Sequence, residues 1–345
     1  MSEYFMAKEK GFMMKNRFGQ EADIYLSVVI PVYQADQILR VLCERVVQSV
    51  RAITERYEII FIDDGSTDDS WRIMNYLAEE NSNVLSVRLS RNFGHHYAIA
   101  AGLDISQGQW TVVMDCDLQD RPEDIKNLLN VALPGYDIVL ARRLQRNDFF
   151  IKRLCSKLFY FIFGLLSGYR LDYSVGAFRI MNRAAVNAIC AMRESSRMFA
   201  GIVNWVGFKT GYVDVEHSSR YQGTSSYNMR KSLKLALDGI ISFSNRPLYI
   251  FIAIGITMSM LALSYGIYLL FLYFFVHEFG ISGWLSIITL NAFLGGLVLF
   301  NLGIIGIYIG RIYDETKRRP LYIIQSIYNS KQKDAEKAPP CNDLK

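Results

Sequence analysis

The residues with the clearest chemical capacity are two aspartates one residue apart, Asp115 and Asp117, in VMDCDLQDRP at 113–122. An apolar run precedes them, which predicts that they stand at the end of a buried strand, with Gln119 two residues further on. Two carboxylates spaced in this way can approach one hard cation. Oxygen ligands suit Mg²⁺ or Mn²⁺, which commonly bridges carboxylates and substrate phosphates. A D-x-D alone is a weak signal, but its place after a strand and before LQDRP makes it more specific.

Three other polar segments follow apolar runs and contain residue types that suit a nucleotide. They are IPVY at 30–33, FIDDGSTD at 61–68 and SRNFGHH at 90–96. Tyr33 can stack on a base, and Arg91 can bind a diphosphate. Asp63 and Asp64 can accept hydrogen bonds from a base imide or from ribose hydroxyls. The plainer interpretations are a strand terminator, a strand–turn–helix capped by Ser66, and a loop.

The elements that must position these residues alternate between strand and helix patterns. Five apolar runs rich in valine and isoleucine predict buried strands of a mostly parallel sheet. They are Leu26–Pro31, Glu58–Asp63, Val84–Leu89, Trp110–Met114 and Asp137–Ala141. Helical periodicity over Ala35–Ile53, a capping-box pattern from Ser66 to Asp69, and Pro122 in a first turn predict helices between them. Such alternation predicts an α/β domain whose ligands bind at the carboxyl ends of the strands.

Composition narrows the class of protein. The 345 residues are 51% hydrophobic, so a membrane part is expected, and the net charge of +5 is too small to indicate a nucleic-acid partner. A modest positive charge suits a protein that lies against anionic lipid headgroups. The five cysteines are odd in number and lack a C-x-x-C spacing, which predicts reduced thiols. No secretory signal is expected, because the N-terminus lacks an apolar core.

Two long apolar stretches near the C-terminus predict a transmembrane hairpin, with spans at about 248–276 and 284–309. As a helix the first stretch is ~43 Å long, which exceeds the ~30 Å hydrocarbon core of a bilayer. Basic residues flank both stretches, whereas the link at 277–283 has only His277 and Glu278. The positive-inside rule therefore places both flanks in the cytoplasm. The α/β domain is therefore expected at the cytoplasmic face of the membrane.

The expected domain order follows from these patterns. It is a lead-in at 1–24, an α/β domain at 25–229, an amphipathic helix at 230–246, the hairpin at 247–310 and a basic tail at 311–345. Phe149–Leu166 and Arg230–Phe243 mix basic and large apolar residues, which is typical of helices in the headgroup plane. Packing on the sheet is the alternative for both. Glycines in the second span allow close helix contacts, so a homo-oligomer is an open prediction.

In combination the motifs resemble a known family. IPVY, FIDDGSTDDS, LSRNFGHHYAIAAGL and MDCDLQDRPEDI, in this order and spacing, resemble the family 2 glycosyltransferases of the dolichol-phosphate-mannose-synthase type. The chain is most similar to the bacterial polyprenyl-phosphate subgroup with two C-terminal spans. The resemblance continues through KRLCSKLFY, VGAFRIMNR, NWVGF, SSRYQGTSSY and LALDGIISFSNRPL, and it covers roughly residues 25 to 310.

That resemblance implies a GT-A fold (a Rossmann-like, mostly parallel sheet) and inverting, metal-dependent transfer of a sugar. The implied donor is a nucleotide-sugar, by subgroup a UDP-sugar, and the implied acceptor is polyprenyl (undecaprenyl) phosphate, for cell-envelope glycans such as lipopolysaccharide. Implied nucleotide contacts are Pro31, Tyr33, Asp63, Asp64 and Asp115, beside Arg91; the Mg²⁺ or Mn²⁺ site is Asp115, Asp117 and Gln119. Implied acceptor-phosphate contacts are Arg142 or Arg143, Arg153 and Ser156, and Arg220 belongs to a closing loop. Asp117, Arg153 and Arg220 are the expected catalytic residues.

Some positions depart from the family pattern. Ser226 stands where the family often has lysine, and Cys116 replaces the usual alanine of the acidic motif. No Q-x-x-R-W occurs, which disfavours a processive polysaccharide synthase. A phosphate monoester has a second pKa of about 6, so the acceptor is mostly dianionic at neutral pH and no essential base is predicted. Asp172 and Asp120 are the candidates if a base is needed.

Three alternatives stay open. The acceptor could be a lipid-linked sugar hydroxyl or a glycerolipid, which would need a positioned base. A sugar-nucleotide sensor or scaffold without turnover is disfavoured by the intact D-x-D and the arginines. A transporter is disfavoured because the spans contain only isolated polar residues and two spans are too few for a pathway.

Overall fold

A computed structural model describes residues 24–143, 164, 175–194, 199–215, 246–275 and 283–330 of the chain. The chain divides into two compact units. One comprises Met1–Phe149, Leu171–Ser226 and Pro320–Lys345; the other comprises Phe150–Arg170 and Tyr227–Arg319. The first unit contains a sheet with helices, and the second contains two long apolar helices.

The described residues of the first unit form an eight-stranded mixed sheet. In chain order the strands are β1 (Leu26–Val32), β2 (Tyr57–Asp63), β3 (Val84–Leu89), β4 (Trp110–Val113), β5 (Ile138–Arg143), β6 (Val175–Asn182), β7 (Thr210–Val215) and β8 (Ile324–Tyr328). Their order across the sheet is β7-β5-β6-β4-β1-β2-β3-β8. Strands β4, β1, β2 and β3 are mutually parallel, and so are β5 and β7. Strands β6 and β8 are antiparallel to their neighbours. The predicted mostly parallel α/β sheet is confirmed.

Helices cover the sheet on both faces of its parallel part. They are α1 (Leu39–Arg51), α2 (Ser70–Glu80), α3 (His95–Ile105), α4 (Ile125–Ala132), α5 (Arg183–Ala191) and α6 (Phe199–Trp205), with a 3-10 turn at Pro122–Asp124. Strands β1 and β2 are buried along their whole length, which explains their uninterrupted apolar sequences. Helix α1 buries one stripe against them, and these residues are Leu39, Leu42, Cys43, Val46 and Val50.

The predicted capping box at Ser66 is wrong. Helix α2 begins at Ser70, and its N-cap residue Asp69 makes no side-chain cap hydrogen bond. Ser66 instead ties two turns together. Its backbone N–H donates to Asp63 Oδ1 at 2.8 Å, and its hydroxyl accepts the N–H of Gln34 at 3.0 Å. The same S-x-x-D pattern, from Ser66 to Asp69, fits a cap or a turn, and here the contact with the β1 turn decides between them.

The expectation of a basic tail over 311–345 needs correction at Ile324–Tyr328, which is strand β8. It pairs antiparallel with β3, from Ser86 opposite Tyr328 to Leu89 opposite Ile324. A five-residue edge strand has too few positions for a clear periodicity, and its exposed residues alternate with half-buried ones. The pairing partner, which lies more than 230 residues earlier in the chain, supplies the stabilisation.

The second unit contains helices α7 (Arg246–Phe275) and α8 (Trp284–Thr316). Both are long and apolar enough to cross a membrane, over Phe251–Tyr268 and Phe293–Thr316, and neither window is buried inside the protein. Polar side chains in them bond within their own helix. Thr257 Oγ1 donates to the carbonyl of Ala253, and Asn301 Nδ2 donates to that of Leu297, both at 2.8 Å. Such internal satisfaction is what an apolar surrounding requires.

Candidate functional site

The predicted nucleotide and acidic segments meet at one edge of the sheet. Strands β1, β2 and β4 are parallel neighbours, so the residues after their last positions lie at the same edge. Val32 is in register with Asp63, and Val29 is in register with Val113. Tyr33, Asp64 and Asp115 follow these strand ends directly. Four motifs that are separated along the chain are therefore neighbours in the fold, as the α/β prediction required.

Asp64 organises the loop between β3 and α3. Its Oδ1 accepts the N–H of Phe93 at 2.8 Å, and its Oδ2 accepts the N–H of Gly94 at 2.9 Å. Burial raises the pKa of the Asp64 carboxyl, while these two N–H groups act in the opposite direction. Both oxygens are engaged by backbone, so the carboxylate holds the SRNFGHH loop in place.

Asp63 lies deeper, with a side chain that is fully buried. Its Oδ1 accepts the Ser66 N–H, and its Oδ2 lies 3.2 Å from Arg88 Nε. Burial raises the pKa of this carboxyl, and Arg88 counteracts the rise. Asp63 is thus part of the floor of the site, where it joins the end of β2 to the end of β3.

Tyr33 and Arg91 present the exposed surface on this side of the site. Tyr33 is 46% exposed, whereas Pro31 is buried within β1 and acts through the backbone that carries Tyr33. The guanidinium of Arg91 lies 4.3 Å from the centroid of the Phe93 ring. An exposed aromatic ring thus follows β1, and an exposed cation lies in the loop after β3, which are the residue types that suit a base and a diphosphate.

The acidic motif forms a tight turn after β4. Leu118 has a φ of 58°, in the left-handed region, and Asp117 Oδ1 accepts the N–H of Gln119 at 3.1 Å. His95 Nε2, at the start of α3, lies 3.4 Å from Asp115 Oδ1. The side chains of His95 and Asp115 are 45% and 31% exposed. The turn thus presents carboxylates to solvent beside the loop that carries Arg91.

The carboxylate oxygens of the acidic turn suit a cation that a ligand also binds better than a cation that the protein holds alone. Across the described residues, no group of three or more His, Cys, Asp or Glu side chains is arranged to hold a metal ion. Asp115 and Asp117 supply hard oxygen donors, which suit Mg²⁺ or Mn²⁺, and such ions usually complete their shell with phosphate oxygens and water. The donor chemistry therefore fits a cation that binds together with a diphosphate.

Arg179 is a site residue that the sequence patterns did not single out. It lies on β6 opposite Val113 of β4 and is 3% exposed. Burial lowers the pKa of its guanidinium to about 10, against the attraction of Asp115 and Asp120. Asp120, a candidate base, is itself 4% exposed. The sequence signal that could have identified Arg179 is a charged residue within the otherwise apolar stretch VGAFRIM. An arginine buried in a strand requires acidic or carbonyl partners.

The predicted acceptor residues are only partly described. Arg142 and Arg143 end β5, which is parallel to β7 and separated from β4 by β6, so they reach the same edge of the sheet as the acidic motif. The Arg142 guanidinium pairs with Asp214, with Nε–Oδ1 at 2.6 Å and Nη2–Oδ2 at 3.1 Å. Arg153, Ser156 and Arg220, the base candidate Asp172, and both predicted interfacial segments lie outside the described residues.

The chain thus combines an α/β sheet, with an acidic turn at the carboxyl ends of its strands, and two helices that are candidate membrane spans. The chain matches the model of "Glycosyl transferase family 2" over residues 27–190. It is 37% identical to the uncharacterized glycosyltransferase YkcC of Bacillus subtilis, over 90% of this chain and 96% of that protein. It is 36% identical to the bactoprenol glucosyl transferase of Shigella phage SfV, over 89% and 99%.

A similarity to a solved structure is weaker. Glucosyl-3-phosphoglycerate synthase from Mycobacterium tuberculosis, in complex with Mn²⁺, UDP and phosphoglyceric acid, aligns over 65% of this chain and 79% of that chain. The identity is 15% and the TM-score is 0.49. The family assignment comes from the sequence relatives, which match over nearly the whole length. The chain belongs to glycosyl transferase family 2, and the protein is a glycosyltransferase.

Proposed function

We propose that this glycosyltransferase moves a sugar from a nucleotide-sugar, by subgroup a UDP-sugar, onto the phosphate of a polyprenyl (undecaprenyl) carrier. The observation that carries the proposal is the order of groups along one sheet edge. Tyr33 and the Arg91 loop lie on one side of Asp115, and the end of β5 with Arg142 lies on the other. A donor and an anionic acceptor can thus flank the acidic turn. The similarity to a bactoprenol glucosyl transferase over 89% of the chain supports this choice of acceptor.

In this proposal the chain's own residues bind and orient the donor. Tyr33 stacks on the base, and the loop held by Asp64 presents Arg91 to the diphosphate. Asp115 and Asp117, with Gln119 in the same turn, would hold a divalent cation. When bound, that cation supplies Lewis-acid stabilisation of the negative charge on the leaving nucleoside diphosphate.

The acceptor phosphate needs orientation more than deprotonation. Its second pKa is about 6, so it is mostly dianionic at neutral pH and attacks without losing a proton. Arginines at the end of β5 and in the predicted acceptor helix position it. Asp120 suits a base poorly, because it is buried and under the field of Arg179. The family resemblance implies inversion at the anomeric carbon, with the phosphate oxygen entering opposite the leaving diphosphate.

The membrane hairpin places the reaction where the lipid acceptor is. A polyprenyl chain stays in the bilayer because each CH₂ that leaves it costs ~0.8 kcal/mol. We propose that α7 and α8 both cross the inner membrane and that basic flanks keep the catalytic unit cytoplasmic. The product would feed cell-envelope glycans.

Transfer to the lipid tests the proposal directly. The full-length protein in detergent would be incubated with Mn²⁺ or Mg²⁺, undecaprenyl phosphate and a panel of radiolabelled nucleotide-sugars. We expect label to enter the organic phase with one donor, and to fall by about a hundredfold or more in Asp117→Ala because the diphosphate charge is no longer stabilised.

Asp69→Ala is the matched control, since Asp69 is an exposed carboxylate that pairs with Arg72 on the surface of α2. It should keep full transfer. Label that stays aqueous with every donor, in a protein that binds UDP, would exclude polyprenyl phosphate and favour a sugar-hydroxyl acceptor. Failure to bind any nucleotide would favour a scaffold.

A further inference from the structure

A buried arginine lies under the acidic turn and touches nothing outside the protein. Arg179 Nε donates to the carbonyl of Ala177 at 2.8 Å, and its Nη2 donates to that of Gly176 at 2.7 Å. The guanidinium carbon stands 4.7 Å from the centroid of the Phe199 ring. Two hydrogen bonds and an aromatic face fix the orientation of the cation. With 3% of the residue exposed, it cannot serve as a surface contact for substrate.

The position of Arg179 relates it to the acidic turn. It pairs with Val113, and Asp115 follows two residues later on the chain. Side chains of paired antiparallel residues point to the same face, so Arg179 projects on the face where Val113 and its i+2 neighbour lie. Asp115 and Asp120 are the two groups whose charge stabilises the protonated guanidinium. A buried cation of this kind is tolerated only with such compensation.

We propose that Arg179 is a positioning residue that acts as the internal counter-ion of the acidic turn and keeps its affinity for a divalent cation low until the diphosphate arrives. The inference rests on the proposed metal–diphosphate site. The charges of Asp115 and Asp120 act on the buried guanidinium, and Asp117 belongs to the same turn. The turn therefore retains negative charge, but less than its three carboxylates alone would give. The cation then binds firmly only with the added phosphate charges.

The arrangement of the donors supports this reading. No group of three or more ligating side chains that could hold a metal occurs in the part of the chain that the structure describes. A site with two partly exposed carboxylates and a buried cation nearby is suited to a metal that enters and leaves with its nucleotide. Release of the nucleoside diphosphate would carry the metal away with it, which would leave the site ready for the next donor.

Arg183 provides a matched control on the same stretch of chain. It is also an arginine with 3% exposure, and it also donates to backbone carbonyls, those of Ser106 and Gly108. Its acidic neighbour is Glu58, which lies near the opposite end of β2 from Asp63. Loss of its charge should therefore change stability but not the binding of a metal at the acidic turn.

Mn²⁺ binding tests the proposal without any need for activity. Free Mn²⁺ would be measured by electron paramagnetic resonance with full-length protein in detergent, first without nucleotide and then with UDP. We expect Arg179→Gln, which keeps a hydrogen-bond donor but loses the charge, to bind Mn²⁺ about tenfold more tightly without UDP. The enhancement of Mn²⁺ binding by UDP should shrink. Arg179→Lys, which keeps the charge, and Arg183→Gln should both bind Mn²⁺ without UDP as the parent protein does.

The outcomes separate this inference from the proposed function. Unchanged or weaker Mn²⁺ binding by folded Arg179→Gln, with UDP enhancement intact, would overturn the counter-ion role alone. If Arg179→Gln does not fold, a rise in the Mn²⁺ affinity of Arg179→Lys would overturn it, because the charge is retained there. A parent protein that binds UDP but no Mn²⁺ under any condition would overturn both this role and the metal-dependent part of the proposed function.

Discussion

At the scale of single residues, the site depends on carboxylates that hold backbone as much as on those that face a ligand. Both carboxylate oxygens of Asp64 accept hydrogen bonds, from the N–H groups of Phe93 and Gly94. Asp115 and Asp117, by contrast, end a short strand and are partly exposed. Neighbouring acidic residues at one sheet edge therefore have different tasks, and the difference follows from burial and from which N–H groups lie within reach.

Replacement of Asp64 by asparagine should loosen the loop that carries Arg91. Asparagine has one acceptor oxygen, so its amide group would confront an N–H donor of Phe93 or Gly94. A hydrogen bond to a charged group contributes about 1.5–3 kcal/mol, so we expect UDP affinity to fall by about tenfold or more. Isothermal titration calorimetry with UDP and Mn²⁺ would measure it.

Asp137→Asn is the comparison for that change, because Asp137 also holds neighbouring groups through both oxygens, Asn182 Nδ2 and the N–H of Lys209. Asp137 precedes β5, so it lies at the amino ends of the parallel strands, whereas the acidic turn lies at their carboxyl ends. It should lower thermal stability and leave UDP affinity near the parent value. Equal losses of affinity in the two variants would contradict the specific role of Asp64.

Residue types and strand ends were enough to predict which residues gather at the site, but not what each one contacts. Asp63, Asp64, Asp115 and Tyr33 were placed together because strand ends in a parallel sheet coincide. The internal partner of Arg142, Asp214, lies 72 residues away in the chain and becomes a neighbour only through the pairing of β5 with β7. The burial of Arg179 likewise depends on the long-range pairing of β6 with β4 and β5, which local sequence does not encode.

At the scale of elements, the turn after β2 packs directly on the loop after β3. Gly65 has a φ of 71°, and a Cβ there would stand 2.6 Å from the carbonyl carbon of Arg91 and 2.7 Å from the nitrogen of Asn92. No side chain fits between the two backbones. The glycine of FIDDGST is therefore required by close approach as well as by conformation.

Gly65→Ala should separate the two loops and displace Arg91. Strained backbone alone costs about 1–3 kcal/mol, and the clash with backbone adds to it. We expect a clear fall in both the unfolding temperature and UDP affinity, measured by differential scanning fluorimetry and calorimetry. Gly207→Ala isolates the conformational cost, because Gly207 has a φ of 68° but its added Cβ would meet no atom closer than 4.0 Å. Normal UDP binding by Gly65→Ala would contradict the loop-packing account.

Strand β8 secures the same loop from its other side. The carbonyl of Ile323 accepts the N–H of Ser90 at 2.9 Å, and Tyr322 Oη donates to Asp104 Oδ2 at 2.6 Å. Arg193 donates twice to the same carboxylate, at 2.6 and 2.8 Å. The residue that precedes Arg91 is thus bound to the segment that follows the second apolar helix. The N-terminal end of β8 is anchored by a buried carboxylate on α3.

The anchor should depend on pH with a definite sign. Burial alone would raise the pKa of Asp104, but Arg193 and Tyr322 bring it below its ordinary value of 3.8. A carboxyl with a lowered folded-state pKa stabilises the fold above its unfolded-state pKa, and this contribution is lost as the pH falls through the folded-state value. Asp104→Asn should therefore destabilise the protein at neutral pH, by about 1.5–3 kcal/mol.

Thermal unfolding of the parent and Asp104→Asn proteins between pH 7 and about pH 3 would check this, and the two curves should converge at the acid end. Tyr322→Phe should lower stability to a smaller extent, since Arg193 still holds Asp104. Tyr328→Phe serves as a control, because Tyr328 Oη donates to the exposed Glu79 at the other end of β8. A constant difference between parent and Asp104→Asn at all pH values would show that ionisation of Asp104 does not matter.

Element prediction from sequence succeeded where burial makes a pattern strong. The five predicted strands agree with β1 to β5 within two residues at each end, because runs such as VVI and EIIFI are buried on both faces. Strands β6 to β8 were not assigned. They run antiparallel or at sheet edges, and their sequences VGAFRIMN, TGYVDV and IQSIY mix glycine and polar residues with apolar ones. Pairing with neighbouring strands, and not the local sequence pattern, decides where these three strands form.

At the scale of the whole molecule, the chain leaves the sheet at one edge strand and returns to it at the other. Strands β7 and β8 are the two edges of the sheet, and both apolar helices lie between them in the sequence. The hairpin is thus an insertion within a sheet-forming chain, not an appended anchor. Strands β7 and β8 belong to one sheet and must lie on one side of a membrane. If the helices between them cross that membrane, the number of crossings must therefore be even.

That requirement yields a prediction about topology. In the proposed topology the link between the two helices faces away from the cytoplasm. Gly283→Cys, before α8, should therefore react with a membrane-impermeant maleimide in intact bacteria. An added Cβ at Gly283 meets no atom within 4 Å, so the change should be tolerated. Lys317→Cys, beyond the other end of α8, should react only after permeabilisation. The five native cysteines all lie in segments proposed to be cytoplasmic, so the parent protein should stay unlabelled in intact cells. If α7 and α8 both cross the membrane, Gly283 and Lys317 lie on opposite sides of it. Labelling of both positions from outside, or of neither, would therefore contradict two crossings.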